Sequence, residues 1–290
     1  MGQDLFRRAY RLQIGNLDLS KLAIKFKVKS SLKPEPNTCD VEVYNLSDAH
    51  RQQLETTTAQ ILTLEVGYGD RMHRIFLGQV RTCYTQVNGP DRITKFSSGD
   101  GEQAVLGTRI RVTYGNQIQI DTAIENIAKV LGIGVGNLAP VAQRLRSKGI
   151  TSIYPQGAAL SGNAWRELQT ICRSCGLEAS IQDGALLLLE VGKALEGSAV
   201  RLSPSTGLIG SPTADSDKTT GVLTVNCEAL LVPELRPGVK VQLESLSTGR
   251  AVYRIYDAEY TGESHGQDWY AHLGMQRVNN AVVTLGEVVI

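Results

Sequence analysis

From Gly207 to Met275 the chain alternates apolar and polar residues in short runs, each cut by a Gly- or Pro-rich turn. Strands with one buried face satisfy that pattern and helices do not. Val239-Lys240-Val241-Gln242-Leu243 is one such run, Tyr253-Arg254-Ile255-Tyr256 a second, and Trp269 to Leu273 a third. Gly207 to Pro212 and Pro233 to Gly238 form turns, and Gly262 and Gly266 bound the polar connection before Trp269. The stretch Gly197 to Thr220, rich in Ser, Thr, Pro and Gly, is expected to be a polar linker into this unit. Nothing in the three runs is arranged for catalysis.

The first third is also β-rich. Ile24, Phe26 and Val28 alternate with Lys25, Lys27 and Lys29, giving one apolar and one cationic face. Cys39, Val41 and Val43 repeat the alternation against Asp40 and Glu42, so the next strand offers acidic partners that help to fix the register. A lysine stripe of this kind is a solvated face or a guard against edge aggregation, with anion binding as the sharper alternative. Ser47 caps a helix from Asp48 to Leu54. Strands follow at Ile61 to Val66, Arg74 to Val87 and Arg92 to Phe96, separated by turns at Gly67 to Asp70 and Asn88 to Asp91.

The middle changes period. Ala123, Ile124, Ile127, Ala128 and Leu131 share one helical face, with Asp121 placed as an N-cap and Gly132 after the end. A second helix is expected from about Ser161 or Gly162 to Cys175, with Trp165, Leu168, Gln169 and Cys172 at helical spacing, and Trp165 is expected to anchor a core. Glu178 to Gln182 and Ala185 to Leu189 form a hairpin around Asp183-Gly184. The fold class is therefore mainly β with an α/β insertion. Two small antiparallel β-barrels, residues 1–110 and 197–290, are expected to flank a helix-helix-hairpin region at 111–196.

Composition excludes several functions. The 290 residues are long enough for two or three domains with real cores. Thirty basic against 29 acidic side chains give a net charge of +1, unlike a dedicated nucleic-acid binder. No apolar run is long enough to cross a membrane, and Met1 to Gly15 lacks the apolar core of a secretory signal. The start Met-Gly has Phe6 where myristoylation requires Ser or Thr.

Catalytic and ligand constellations are weak. Cys172 and Cys175 make the one CxxC, but it falls at a helix end, not the N-terminus that lowers a thiol pKa, and no second ligand pair completes a zinc site. Cys39, Cys83 and Cys227 sit in strand-like runs as small apolar residues. The glycines at 132, 134 and 136 follow a helix, which argues against a phosphate cradle. Glu259, Glu263 and Asp268 are the carboxylates that could serve glycoside hydrolysis, but they are placed near exposed turns. His73, His265 and His272 are isolated. No catalytic, cofactor or metal residues are assigned, and no enzyme activity is expected.

Several segments in this order resemble the baseplate hub proteins of contractile-tailed bacteriophages, the late-control-D-like tail hubs related to the hub part of type VI secretion spikes. The first is Val41 to Ser47 followed by a short helix and Ile75-Phe76-Leu77-Gly78-Gln79-Val80. Trp165 to Leu168 and Cys175-Gly176-Leu177 follow in the middle, then Gly207 to Pro212, Leu235 to Gly238 and Gly262 to Trp269. The chain departs from larger hubs, which carry insertions or a fused spike. The resemblance implies a structural role without cofactor: a homotrimer whose two similar barrels per chain adapt a sixfold tail tube to a threefold central spike. It further implies tape measure and baseplate wedge proteins as neighbours, transient passage of genomic DNA, no membrane partner, and a place in the virion tail baseplate after assembly in the host cytoplasm. Alternative readings are the equivalent hub of a phage-like bacteriocin or type VI apparatus, and a peptidoglycan-binding or -degrading tail protein.

Overall fold

The structure, a computed structural model, describes residues 7–56, 60–216, 223–246 and 249–278. These fall into two compact units. One comprises the segment up to Ser31, Asn37–Gly99 and the chain from Gly192 on; the other comprises Leu32–Pro36 and Asp100–Val191.

The first unit opens with β1 (Arg8–Ile14), β2 (Leu17–Asp18), β3 (Ile24–Ser31) and β4 (Asn37–Tyr44). Helix α1 (Asp48–Thr56) follows, entered through a hydrogen bond from His50 N to Ser47 Oγ. Next come β5 (Ile61–Tyr68), the long β6 (Arg71–Asn88) and β7 (Asp91–Asp100), the last two joined by the expected turn at Gly89-Pro90. After the second unit the chain returns with β14 (Val200–Leu202), β15 (Leu208–Ser216), β16 (Leu223–Leu230), β17 (Lys240–Ser245), β18 (Gly249–Glu263) and β19 (Trp269–Arg277).

These strands form one 13-stranded sheet in the order β15-β16-β19-β18-β3-β4-β7-β6-β5-β1-β2, with β17 on β18 and β14 parallel to β17. The mainly β class is confirmed, but the two closed barrels are not. The sheet is open, and the two β-segments meet where the second half of β18 pairs antiparallel with β3. One apolar cluster underlies both segments, from Leu12, Phe26 and Val41 to Val241, Tyr260 and Trp269. The expected linker at Gly197 to Thr220 also differs. Val200 and Leu202 bury beside Val241 and Leu243 as β14, and Leu208 to Ser216 pair with β16; residues 217–220 lie outside the described residues, as does the Met1 to Phe6 start.

The topology repeats. In the first β-segment β3 pairs β4, β4 pairs β7, β7 pairs β6 and β6 pairs β5. In the second, β15 pairs β16, β16 pairs β19, β19 pairs β18 and β18 pairs β17. Each repeat contains one long strand with a mid-strand bulge, between Val80 and Thr82 in β6 and between Ile255 and Asp257 in β18. A bulge bends a strand, so one half of each long strand pairs with the short strand before it and the other half is free to extend the sheet.

The second unit contains β8 (Arg109–Tyr114), β9 (Ile118–Gln119), α2 (Ile120–Leu131), α3 (Leu138–Ser147), β10 (Ser152–Ile153), β11 (Ala158–Asn163), α4 (Ala164–Ser174), β12 (Leu177–Gln182) and β13 (Ala185–Glu190). The hairpin β12–β13 turns at Asp183-Gly184, both at positive φ. Two details differ from the sequence reading. Gln119, not Asp121, is the N-cap of α2, and Asp121 instead sits in the first turn paired with Arg146. Helix α3 is an addition to the expected helix-helix-hairpin region; Pro140 falls in its first turn, where the missing N–H costs nothing, and Leu138, Val141 and Leu145 bury on one face.

Candidate functional site

The most developed polar surface lies on the outer face of the sheet where β18 meets β3. Period 2 puts Phe26 and Val28 inward and Lys25, Lys27 and Lys29 outward. In register with them, β18 presents Glu263 opposite Lys25 and Glu259 opposite Lys29. Lys27 Nζ lies 2.7 Å from Glu259 Oε1, Lys29 Nζ 3.7 Å from Glu259 Oε2, and Lys25 Nζ 3.4 Å from Glu263 Oε1. On the other side Glu42 stands opposite Lys25 and accepts Lys95 Nζ at 2.9 Å. The hydrogen bond and charge of Glu263 raise the Lys25 pKa above its usual value. The stripe is therefore held between acidic strands on both sides; the anticipated cross-strand partners on β4 are in register, and those on β18 are an addition.

This placement changes what the carboxylates can do. Glu259 and Glu263 are in the middle and at the end of a long strand, not in exposed turns, and both are engaged by ammonium groups. A retaining or inverting glycosidase needs two carboxyls facing each other across a cleft; here both are held in ion pairs with lysines along one sheet face. Asp268 lies across the turn, its carbonyl accepting Glu263 N. A groove of about 500 Å³ runs beside Glu259, walled by Gly210 and Ser211 of the β15 bulge and floored by Asn226, Glu228 and His272.

The histidines are separated. His73 Nε2 reaches Glu234 at 3.4 Å, His265 meets Ser264 in the turn, and His272 stands in register between Glu228 and Glu259. Cys172 and Cys175 are buried free thiols at the end of α4; burial pushes Cys172 up to about 12 and raises Cys175. Trp165 is buried and donates to the carbonyl of Pro34 at 3.0 Å, a core anchor as expected. The glycine run serves packing: a Cβ at Gly136, where φ is +51°, would sit 1.7 Å from the Leu186 carbonyl oxygen. Among the described residues no group of three or more His, Cys, Asp and Glu side chains could hold a metal ion, and no helix is long and apolar enough to cross a membrane.

A second surface is formed by the open strand edges; the hub resemblance implies edge strands paired by neighbouring chains, but sequence reasoning did not locate them. Among the described residues β6 pairs only with β7 beyond Val80, and β15 pairs only with β16. The segment Thr82-Cys83-Tyr84-Thr85-Gln86-Val87-Asn88 contains no charge, and Val87 is 74% exposed. That uncharged run of strand formers was the available signal.

The architecture is shared with tail proteins. The 43 kDa tail protein of prophage MuSo2 from Shewanella oneidensis superposes with a TM-score of 0.66 at 11% identity, covering 93% of this chain and 97% of that one. A tail protein from Neisseria meningitidis gives 0.67 at 9% identity, covering 94% and 97%. A type VI secretion component of E. coli, described as similar to T4 bacteriophage tail proteins, gives 0.59 at 9% identity, covering 96% and 80%. No curated protein matches by sequence. The chain thus has the fold of these tail proteins. The family profile described as baseplate hub gp41 matches residues 11–275, and the chain belongs to that family. Its role is structural, in a phage baseplate, as a component of the virion tail.

Proposed function

We propose that the protein is the trimeric hub of a contractile tail baseplate, a ring that adapts the sixfold tail tube to the threefold central spike and forms part of the genome-delivery channel. The observation that carries this reading is the match to the baseplate hub family over nearly the whole chain. The repeated strand topology supports it: two equivalent β-repeats per chain, β3–β7 and β15–β19, give six in a trimer, and on this reading the domains are residues 1–110, 111–196 and 197–290. The tube, the spike, the tape measure and the wedge proteins are its partners on this reading, and DNA passes through transiently. A net charge of +1 suits transit better than a strongly basic lining that would hold phosphates. No reaction is part of the role; the engaged carboxylates Glu259 and Glu263 favour structure over hydrolysis. Native mass of the purified chain tests the proposal. A mass of three chains supports the ring, and a species that is monomeric at every concentration contradicts it.

A further inference from the structure

The two repeats leave one edge of each kind open. Inside the chain, Asp257 to Glu263 of β18, the long strand of the second repeat, pair with β3, the first strand of the first repeat. The counterparts of these two edges are the distal half of β6 and the whole of β15, and neither has a further strand partner among the described residues.

The correspondence runs residue by residue. The bulges align Thr82 with Asp257, so Tyr84 stands where Glu259 does and Thr85 where Tyr260 does. The segment between the second and third strands packs alike in both repeats: Glu55 of α1 accepts from Thr85 Oγ1, and the Leu235 carbonyl accepts from Tyr260 Oη. On the other edge, buried Val225, Cys227 and Ala229 of β16 repeat buried Cys39, Val41 and Val43 of β4. Ala214, opposite Val225, then stands where Val28 stands opposite Cys39, and Asp215 where Lys29 does.

Burial shows what the free edges lack. Ala258, Tyr260 and Gly262 of β18 are buried, whereas Cys83 and Thr85 are half-buried and Val87 is exposed. Ala214 is exposed although Val28 is buried. Edge strands are ordinarily guarded by charge or proline, and Thr82 to Asn88 contain neither. Such an edge is a template for strand addition.

We propose that these edges pair with each other between copies: Thr82 to Asn88 of one copy add to β15 of the next in the register that β18 and β3 use within the chain. Tyr84 then faces Asp215, Thr85 faces Ala214 and Gln86 faces Thr213. The β15 bulge at Gly210 to Pro212 limits the ladder to Thr213–Ser216 against Cys83–Gln86. One edge of each kind per copy makes the contact head-to-tail, and such contacts close when the rotation permits a ring. The inference rests on the ring reading and specifies which surfaces build it.

Cysteine cross-linking of the intact chain tests it. In a Cys83→Ser background, Tyr84→Cys combined with Asp215→Cys places two exposed side chains opposite each other across the seam. Diamide oxidation is expected to give disulfide-linked dimers and trimers on a non-reducing gel, absent from either single variant. The displaced pair Asn88→Cys with Asp215→Cys is expected to cross-link at least tenfold less. A chain that forms trimers by native mass but no Tyr84→Cys/Asp215→Cys cross-link overturns the edge pairing and leaves the ring standing. A chain that stays monomeric overturns both.

Discussion

The ammonium of Lys27 lies 2.7 Å from the carboxylate of Glu259, and the two residues come from opposite ends of the sequence. The contact sits on the seam that makes one sheet of two β-segments. Beneath it Phe26 and Trp269 meet edge to face at 5.5 Å between ring centroids. The outer face of the seam is polar and sets register, while the inner face supplies the burial that stabilises it.

The ion pairs of the seam are expected to specify pairing more than to add stability. Lys27 and Glu259 are 47% and 31% exposed, and exposed pairs contribute about 0–1 kcal/mol. A double-mutant cycle with Lys27→Ala and Glu259→Ala, read by urea unfolding, is expected to give a coupling below about 1 kcal/mol. Glu259→Lys, which sets three like charges together, is expected to cost more than Glu259→Ala.

Alkali should weaken the seam. The Lys25 pKa is raised in the folded state, so its contribution is fully present below the unfolded value of 10.5 and is lost as pH rises through the folded one. Urea midpoints measured from pH 8 to 11 are expected to fall more steeply for the wild type than for Lys25→Met.

The core under the seam has no spare volume. A Cβ on Gly262 would lie 2.3 Å from Phe26 Cζ and 2.9 Å from Trp269 Cε3. Gly262→Ala is expected to cost about 1–3 kcal/mol by overpacking, and Trp269→Ala about 3–5 kcal/mol by leaving a cavity. Thermal unfolding monitored by circular dichroism checks both.

Thiol chemistry should follow burial. Cys83 is half-buried with its pKa pushed to about 11, whereas Cys172 and Cys227 are buried and pushed to about 12. In an Ellman titration of the native protein at pH 8, Cys39, Cys172 and Cys227 are expected to react only after denaturation. Rapid reaction of Cys172 or Cys175 would instead favour redox chemistry at the CxxC.

Local pattern made much of the fold legible. Alternation located β3, β4 and β17, the Asp183-Gly184 turn located β12–β13, and the apolar spacing of Ala123 to Leu131 located α2. Three features escaped because they depend on distant partners. The pairing of β18 with β3 joins segments from opposite ends of the chain, and strand alternation does not say which edge a strand will meet. β14 is three residues long, and β15 is interrupted by Gly210 and Pro212, so both look like linker. The carboxylates at 259 and 263 looked turn-like because β18 runs past the polar residues that suggest its end. The lysine stripe was visible as a charged face, but its acidic partners on β18 became visible only with the register.

The most direct measurement is negative-stain imaging of the chain co-expressed with its neighbouring tail proteins. The account predicts threefold rings with a central hole and six peripheral lobes, attached to the tube on one side and the spike on the other. A chain that remains outside every ring with those neighbours present would contradict it.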